Sequence, residues 1–281
     1  MTYHRLFDSW TDYLGAANRP QIQYVSDHSR KVYHPTNREP WNGFHTWGEA
    51  LEHATNGWTE GVAQIKKLAE PLVASLASAV RRPEIVYQDQ PALDYDLGLV
   101  MMGEPEHWMA FSPSEEYMTG TKEFTVCVNL AVSAMTKPED IKRRGAVVAA
   151  LCYLTEMAGI STKIVIQYAC QSGKDYFNSE VVLKEFNQQL DIDKLAFAVV
   201  HPASFRRMQF AIYETWPEFI RSESFSVYGQ PRDLAPECKP DLYLKRLHWD
   251  TPPELVDSEG FIRKQLVALG AIEEGALGDG K

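Results

Sequence analysis

The stretch from Glu123 to Ala169 restricts the possible folds more than any other, because it reads as strand, turn, helix, strand. Phe124 to Leu130 is apolar and β-branched, the pattern of a strand buried on both faces. Lys137-Pro138-Glu139-Asp140 opens a helix, with Pro in the first turn and acidic residues at the positive end of the dipole. Ala, Val and Leu then occupy nearly all its sides as far as Met157, so this helix is expected to be covered on more than one face. Ala158-Gly159 ends it, and Thr162 to Tyr168 forms the next strand. Such a unit implies two parallel strands joined by a right-handed crossover. The sequence therefore predicts an α/β fold with a largely parallel central sheet flanked by helices, a helical N-terminal extension and additional short strands.

The flanking segments fill in this plan. Residues 1–82 are expected to form a helical N-terminal region. Ser9 or Asp8 caps a helix carrying Trp10, Tyr13 and Leu14, and a polar arm from Arg19 to Asn42 follows. A capping box at Thr46-Trp47-Gly48-Glu49 starts a second helix, and a third runs from Thr59 to Arg81 with Pro71 inside it. Residues 83–281 are expected to hold the α/β domain. Glu84–Tyr87, Leu97–Met102 and His107–Phe111 read as short strands that flank the main sheet or extend its edge. Glu180–Phe186 alternates like an edge strand. Asp191 caps a helix that Pro202 breaks or restarts, and the helical spacing continues from Phe205 to Tyr213. Leu242–Leu247 is a late strand, and Phe261–Leu269 lies in a final helix.

Composition narrows the function classes. The formal charge of −10 over 281 residues works against broad attraction to nucleic acid or anionic membrane. No run approaches the ~20 apolar residues of a membrane span, and a cytoplasmic location is the simplest expectation. The four cysteines, at 127, 152, 170 and 238, form no C-x-x-C pair; Cys127 and Cys152 sit in apolar elements where a reduced thiol is expected. There is no phosphate-binding Gly-rich loop, dinucleotide fingerprint or Ser-centred nucleophile elbow.

Three constellations could carry function. Asn129-x-Ala131-x-Ser133 follows the opening strand, where α/β sheets usually place a ligand. A hard cation there would want at least one carboxylate, and none is present. The expected role of Asn129 is a hydrogen bond to the adjacent turn, with Ser133 capping the loop, and neither metal nor cofactor is expected. The second constellation, His201-Pro202-Ala203-Ser204-Phe205-Arg206-Arg207, could bind an anion. The stronger reading is a break between helices, with Arg206 and Arg207 paired to acids such as Glu214. The third, Glu104, Glu106 and His107, resembles acid–base equipment, yet a Gly-x-Pro turn between strands with Trp108 packed inward explains it better. Trp41, Phe44, Trp47 and Trp58 read as the packing of a helical cap on the main domain.

Several of these segments together resemble an uncharacterised family of bacteriophage and prophage proteins. The carriers are Gly57-Trp58-x-Glu60-Gly61, Asp96-Leu97-Gly98, Gly103-Glu104-Pro105-Glu106, Arg144-Gly145-Ala146, Leu195-Ala196-Phe197, His201-Pro202-Ala203 and Arg206-Arg207. The resemblance implies no activity. The segment from about 123 to 250 is also similar to von Willebrand factor A domains, especially those that act beside AAA+ ATPases. In that family an Asp-x-Ser-x-Ser loop holds a divalent cation, and here its positions are Asn129, Ala131 and Ser133. These resemblances imply a non-enzymatic phage protein, in the host cytoplasm or the virion, that binds another macromolecule through a degenerate A-type domain. The partner would be a protein, such as an AAA+ ATPase. Its binding surface would lie around Asn129 to Met135, with Glu104, Glu106, His107, His201, Arg206 and Arg207 as further interaction residues. The alternatives are a self-assembling virion component and a nucleic-acid-processing accessory factor using Lys142, Arg143, Arg144, Arg206 and Arg207.

Overall fold

The structure is a computed structural model, and it describes residues 1–18, 43–44, 46–80, 85–90, 94–95, 97–111, 122–132, 136–186, 188–221, 228–247 and 251–273. Its centre is the expected unit. Strand β5 (Glu123–Asn129) leads to helix α5 (Pro138–Met157) and back to β6 (Ser161–Ser172), which lies parallel to β5. Gly159 turns the chain between helix and strand at φ +77°, a conformation that costs glycine little.

The central sheet has six strands. Its order is β1 (Thr2–Phe7), β7 (Asp175–Lys184), β6, β5 and β9 (Leu242–Leu244), while β8 (Gln230–Pro231) pairs with the far end of β6. The pairs β1–β7, β5–β6 and β5–β9 are parallel, whereas β6 and β7 form an antiparallel hairpin. The sheet is therefore mostly parallel but runs in two directions: β5, β6 and β9 one way, β1 and β7 the other. The first residues, expected to belong to a helical N-terminal region, supply a strand of this sheet.

Glu180–Phe186 differs in part from its expected place at an edge. Its first five residues belong to β7, in which Glu180 and Val181 pair with both β1 and β6 while residues 182–184 have β6 alone beside them. The alternation misleads because its polar residues are buried with partners: Lys184 Nζ lies 2.6 Å from Glu156 and donates to the carbonyl oxygen of Thr162 at 2.6 Å. The expected additions to the main sheet also differ. Ile85–Gln88 (β2), Asp94–Tyr95 (β3) and Trp108–Phe111 (β4) make a separate three-stranded sheet ordered β2-β4-β3. Leu97–Met102, read as a strand, is the short helix α4. A six-residue apolar run cannot distinguish the two by periodicity, and Leu and Met favour helix.

Helices cover one face of the central sheet. Helix α1 (Trp10–Ala17) is capped by Ser9, whose side chain accepts from the Asp12 amide, and α2 (Trp47–Asn56) is capped in the same way by Thr46. Helix α3 (Thr59–Leu76) packs on α5. The run after β7 is continuous and largely buried: α6 (Ile192–Leu195), a π-helical turn Ala196–Val200, the break at His201-Pro202, a second π-helical turn Ser204–Gln209, and α7 (Phe210–Tyr213). Helices α8 (Pro217–Ile220), α9 (Pro253–Val256) and α10 (Ser258–Ala268) complete the chain. Phe44 stacks on His201 at 4.1 Å and Trp58 meets it edge-on at 4.6 Å, so these two aromatics pack the N-terminal helices onto the rest. Trp41, the arm 19–42 and the loop 112–121 lie outside the described residues.

Gly145 sets the distance between α5 and the first π-helical turn. A Cβ there would lie 2.3 Å from Val200 Cγ2, inside a contact between two buried elements. Helix propensity alone favours replacing a mid-helix glycine, by about 1 kcal/mol, but the collision outweighs it. Gly145→Leu is expected to lower the free energy of unfolding by about 2–3 kcal/mol in urea titrations.

Candidate functional site

Asn129 ends β5 with its side chain fully buried. Its Oδ1 accepts the Ala131 amide at 3.0 Å, an Asx turn that folds the loop back on the strand. Its Nδ2 donates to the Arg232 carbonyl oxygen at 2.9 Å, to Tyr243 Oη at 3.1 Å and to Asp233 Oδ1 at 3.3 Å. The expected bond to the adjacent turn is present, but the amide also binds segments more than a hundred residues away. Ala131 contributes its backbone and a buried methyl, and Ser133 lies outside the described residues.

Asn129 is one member of a polar row. Asn129, Gln167 and Glu180 stand opposite one another across β5, β6 and β7. Tyr243 of β9 donates to Gln167 Oε1 at 2.7 Å, and burial above all keeps its phenol protonated well above the ordinary value. Gln167 Nε2 donates to the Leu234 carbonyl oxygen at 3.3 Å. The buried Glu180 carboxylate receives Asn178 Nδ2 at 2.8 Å and the amides of Glu237 and Cys238 at 2.7 and 3.0 Å. The row thus clamps residues 230–241, here called the strap, over the face opposite the helices. Thr125 at the start of β5 adds a bond from its amide to Asp241, at 2.8 Å.

Beneath the loop sits Arg144, 1% exposed. It donates to the carbonyl oxygens of Asn129, at 3.2 Å, and of Lys245, and its guanidinium lies 2.8 Å from Glu254 of α9. Burial lowers its pKa and Glu254 opposes that. A buried pair of this kind is costly to break from one side, by about 3–5 kcal/mol. Asp233 takes the Arg246 amide at 2.8 Å, so the strap is also tied to the residues after β9.

The structure brings the Asn129 loop close to the His201 segment. Leu130, Arg144, His201, Ser204 and Arg206 all line one cavity of about 20 Å3, room for about one water. His201, Arg206 and Arg207, expected as interaction residues, are buried rather than displayed. Arg207 donates to the Phe44 carbonyl oxygen. His201 Nδ1 accepts the Ala203 amide at 3.1 Å, and burial first, then the charges of His53 and Arg207, push its pKa down to about 3. The imidazole is a neutral structural ring within an aromatic stack. Glu104, Glu106 and His107 are not brought to this site; they lie between α4 and β4. Both carboxylates are exposed, and the imidazole bonds the Glu104 carbonyl oxygen at 2.7 Å. The turn joins a helix to a strand, not two strands.

Gln167, Glu180, Asp233, Tyr243 and Glu254 were not singled out from sequence. Gln167 alone carried a signal, as a polar residue inside the apolar run from Ile164 to Ala169. Among the described residues, no group of three His, Cys, Asp or Glu side chains is arranged to hold a metal ion, and no helix is long and apolar enough to cross a membrane.

Fold and site together define an α/β protein whose strand-end groups are turned inward to hold its own loops. Residues 1–273 match the model of a family described as a domain of unknown function, DUF7192, and the chain belongs to that family. No curated protein and no solved structure matches it.

Two expectations follow. Asn129→Ala strands Tyr243, the Arg232 carbonyl oxygen and the Ala131 amide, and should cost about 2–3 kcal/mol by chemical denaturation, while added Mg2+ or Mn2+ raises the Tm of neither protein. For His201, the unfolded ring takes a proton near pH 6.5, whereas the folded ring stays neutral down to about pH 3. Unfolded chains therefore bind more protons in this window, and stability falls as pH drops through it, by up to about 1.4 kcal/mol per pH unit. His201→Phe, which keeps an aromatic ring in the stack, should show a shallower loss between pH 6 and 4 (roughly that window) in urea titrations.

Proposed function

We propose that this chain is a non-enzymatic binding module that receives a protein partner at the carboxyl end of β5, around Asn129 to Met135. One observation carries the reading. Where α/β sheets usually accept a small ligand, the polar groups of Asn129, Gln167 and Tyr243 are spent on one another and on the chain's own strap, and the neighbouring cavity has room for about one water. Residues 129–132 are themselves buried, so the contact would fall on exposed residues beside them, such as Lys137, and would suit another macromolecule better than a small substrate. The loop is then a docking position of a degenerate A-type domain, with an AAA+ ATPase as the first partner to test. That choice, like a phage origin, rests on the sequence resemblance.

A self-assembling role is favoured by a separate observation. Val100, Met101 and Met102 of α4 are 39, 80 and 70% exposed, an apolar surface suited to contact between subunits. The nucleic-acid reading draws less support, since Arg144, Arg206 and Arg207 are buried.

A photo-crosslinking residue at Lys137, which is exposed beside the loop, decides among the three. Capture of a distinct protein, lost when the crosslinker is moved to Glu104, is the expected outcome. Crosslinks only between copies of the chain would replace it with the assembly reading. Salt-sensitive retention of DNA without a protein adduct would replace it with the nucleic-acid reading.

A further inference from the structure

The strap carries a feature that its hydrogen bonds do not require. Cys127 lies on β5 two residues before Asn129, and so projects from the same face of the sheet, beneath the strap. Cys238 lies on the strap, held there by the bond from its own amide to Glu180 Oε2 at 3.0 Å. The strap is bound to Asn129 through Arg232 and Asp233 and to Thr125 through Asp241, so it crosses over Cys127 from both sides and brings Cys238 beside it, with both thiols free. Cys127 is buried and Cys238 half-buried, whereas Cys152 and Cys170 are buried elsewhere in the core.

We propose that Cys127 and Cys238 form an intramolecular disulfide when the protein meets a low-molecular-weight disulfide, and that this bond locks the strap onto the sheet. Cys238, the accessible member, attacks first: its thiolate displaces one thiol from the small disulfide and forms a mixed disulfide. The Cys127 sulfur, giving up its proton, then attacks the Cys238 sulfur and expels the second small thiol. Two protein thiols are oxidised to one disulfide while one small disulfide is reduced to two thiols, so electrons and protons balance. The contact with Cys238 and burial hold the Cys127 thiol protonated well above its ordinary pKa. This favours Cys238 as the first nucleophile and Cys127 as the resolving one.

The consequence reaches the candidate site. Arg232 and Asp233, which hold Asn129, are on the same strap as Cys238. Cross-linking positions so far apart in sequence restricts the unfolded chain strongly, and strap opening would be suppressed along with it.

The test is to incubate the full chain with oxidised glutathione, quench by alkylation, and map peptides without reduction. The expected result is one linked peptide pair joining Cys127 to Cys238, with Cys152 and Cys170 alkylated. The Tm should rise by about 5–10 °C, reversibly on addition of dithiothreitol. Cys238→Ser, a half-buried and conservative change, should fold normally and lose the whole shift. A glutathione adduct that persists on Cys238 would overturn the proposal, as would full alkylation of both thiols after oxidation. A Tm shift of the same size in Cys238→Ser would do so as well.

Discussion

A single buried guanidinium fixes how the parts of this protein meet. Arg144 projects from α5 toward the end of the sheet and binds the last carbonyl of β5, the backbone after β9, and the carboxylate of α9. No other group in the described structure is placed to join those three segments in this way. An arginine suits the position because its planar fork offers several donors in fixed directions while its charge needs only one carboxylate. The segments it joins lie far apart in sequence, so this contact forms only when the chain has closed around it.

The second organising principle is the difference between the two faces of the sheet. The helical face is sealed by apolar packing, with Phe177 against Trp216 and Phe219, and a few hydrogen bonds such as Tyr168 to Ser204. The other face is covered by a strap that has no regular structure beyond β8, and hydrogen bonds hold it there. A loop in that position presents backbone donors and acceptors that need partners, and Asn129, Gln167 and Glu180 provide them. This explains why polar residues occupy strand positions that a purely apolar layer would give to Val or Ile. It also explains why the place where such sheets usually bind ligands is filled from within.

Much of this architecture is legible in the sequence where local chemistry agrees with tertiary packing. The β5–α5–β6 unit, the caps at Ser9 and Thr46 and the break at His201-Pro202 all follow from spacing and residue type, and all stand where expected. The missed features share one cause, which is that distant partners decided them. Thr2–Phe7 is a strand because β7 offers it an edge, and Glu180 is buried because the strap supplies two backbone N–H groups to its carboxylate. Arg206 and Arg207 read as paired to nearby acids or as interaction residues, and nothing in their neighbourhood announces that both are buried, Arg207 against the backbone of Phe44. Asn129 was recognised as important, but sequence could show only its nearest bond. Its partners at 232, 233 and 243 lie more than a hundred residues further along the chain.

One consequence concerns how such a protein can change over generations. Arg144 and Glu254 form a buried pair, in which each satisfies a group that has no access to water. Neighbours this tightly coupled do not contribute additively. Replacing one orphans another, whereas exchanging the charged pair together for apolar residues of similar volume can be nearly neutral. Drift at these positions should therefore proceed by linked substitutions. Chains that carry an uncharged residue at 144 should also lack the acid at 254, which makes the two positions a diagnostic couple for the family.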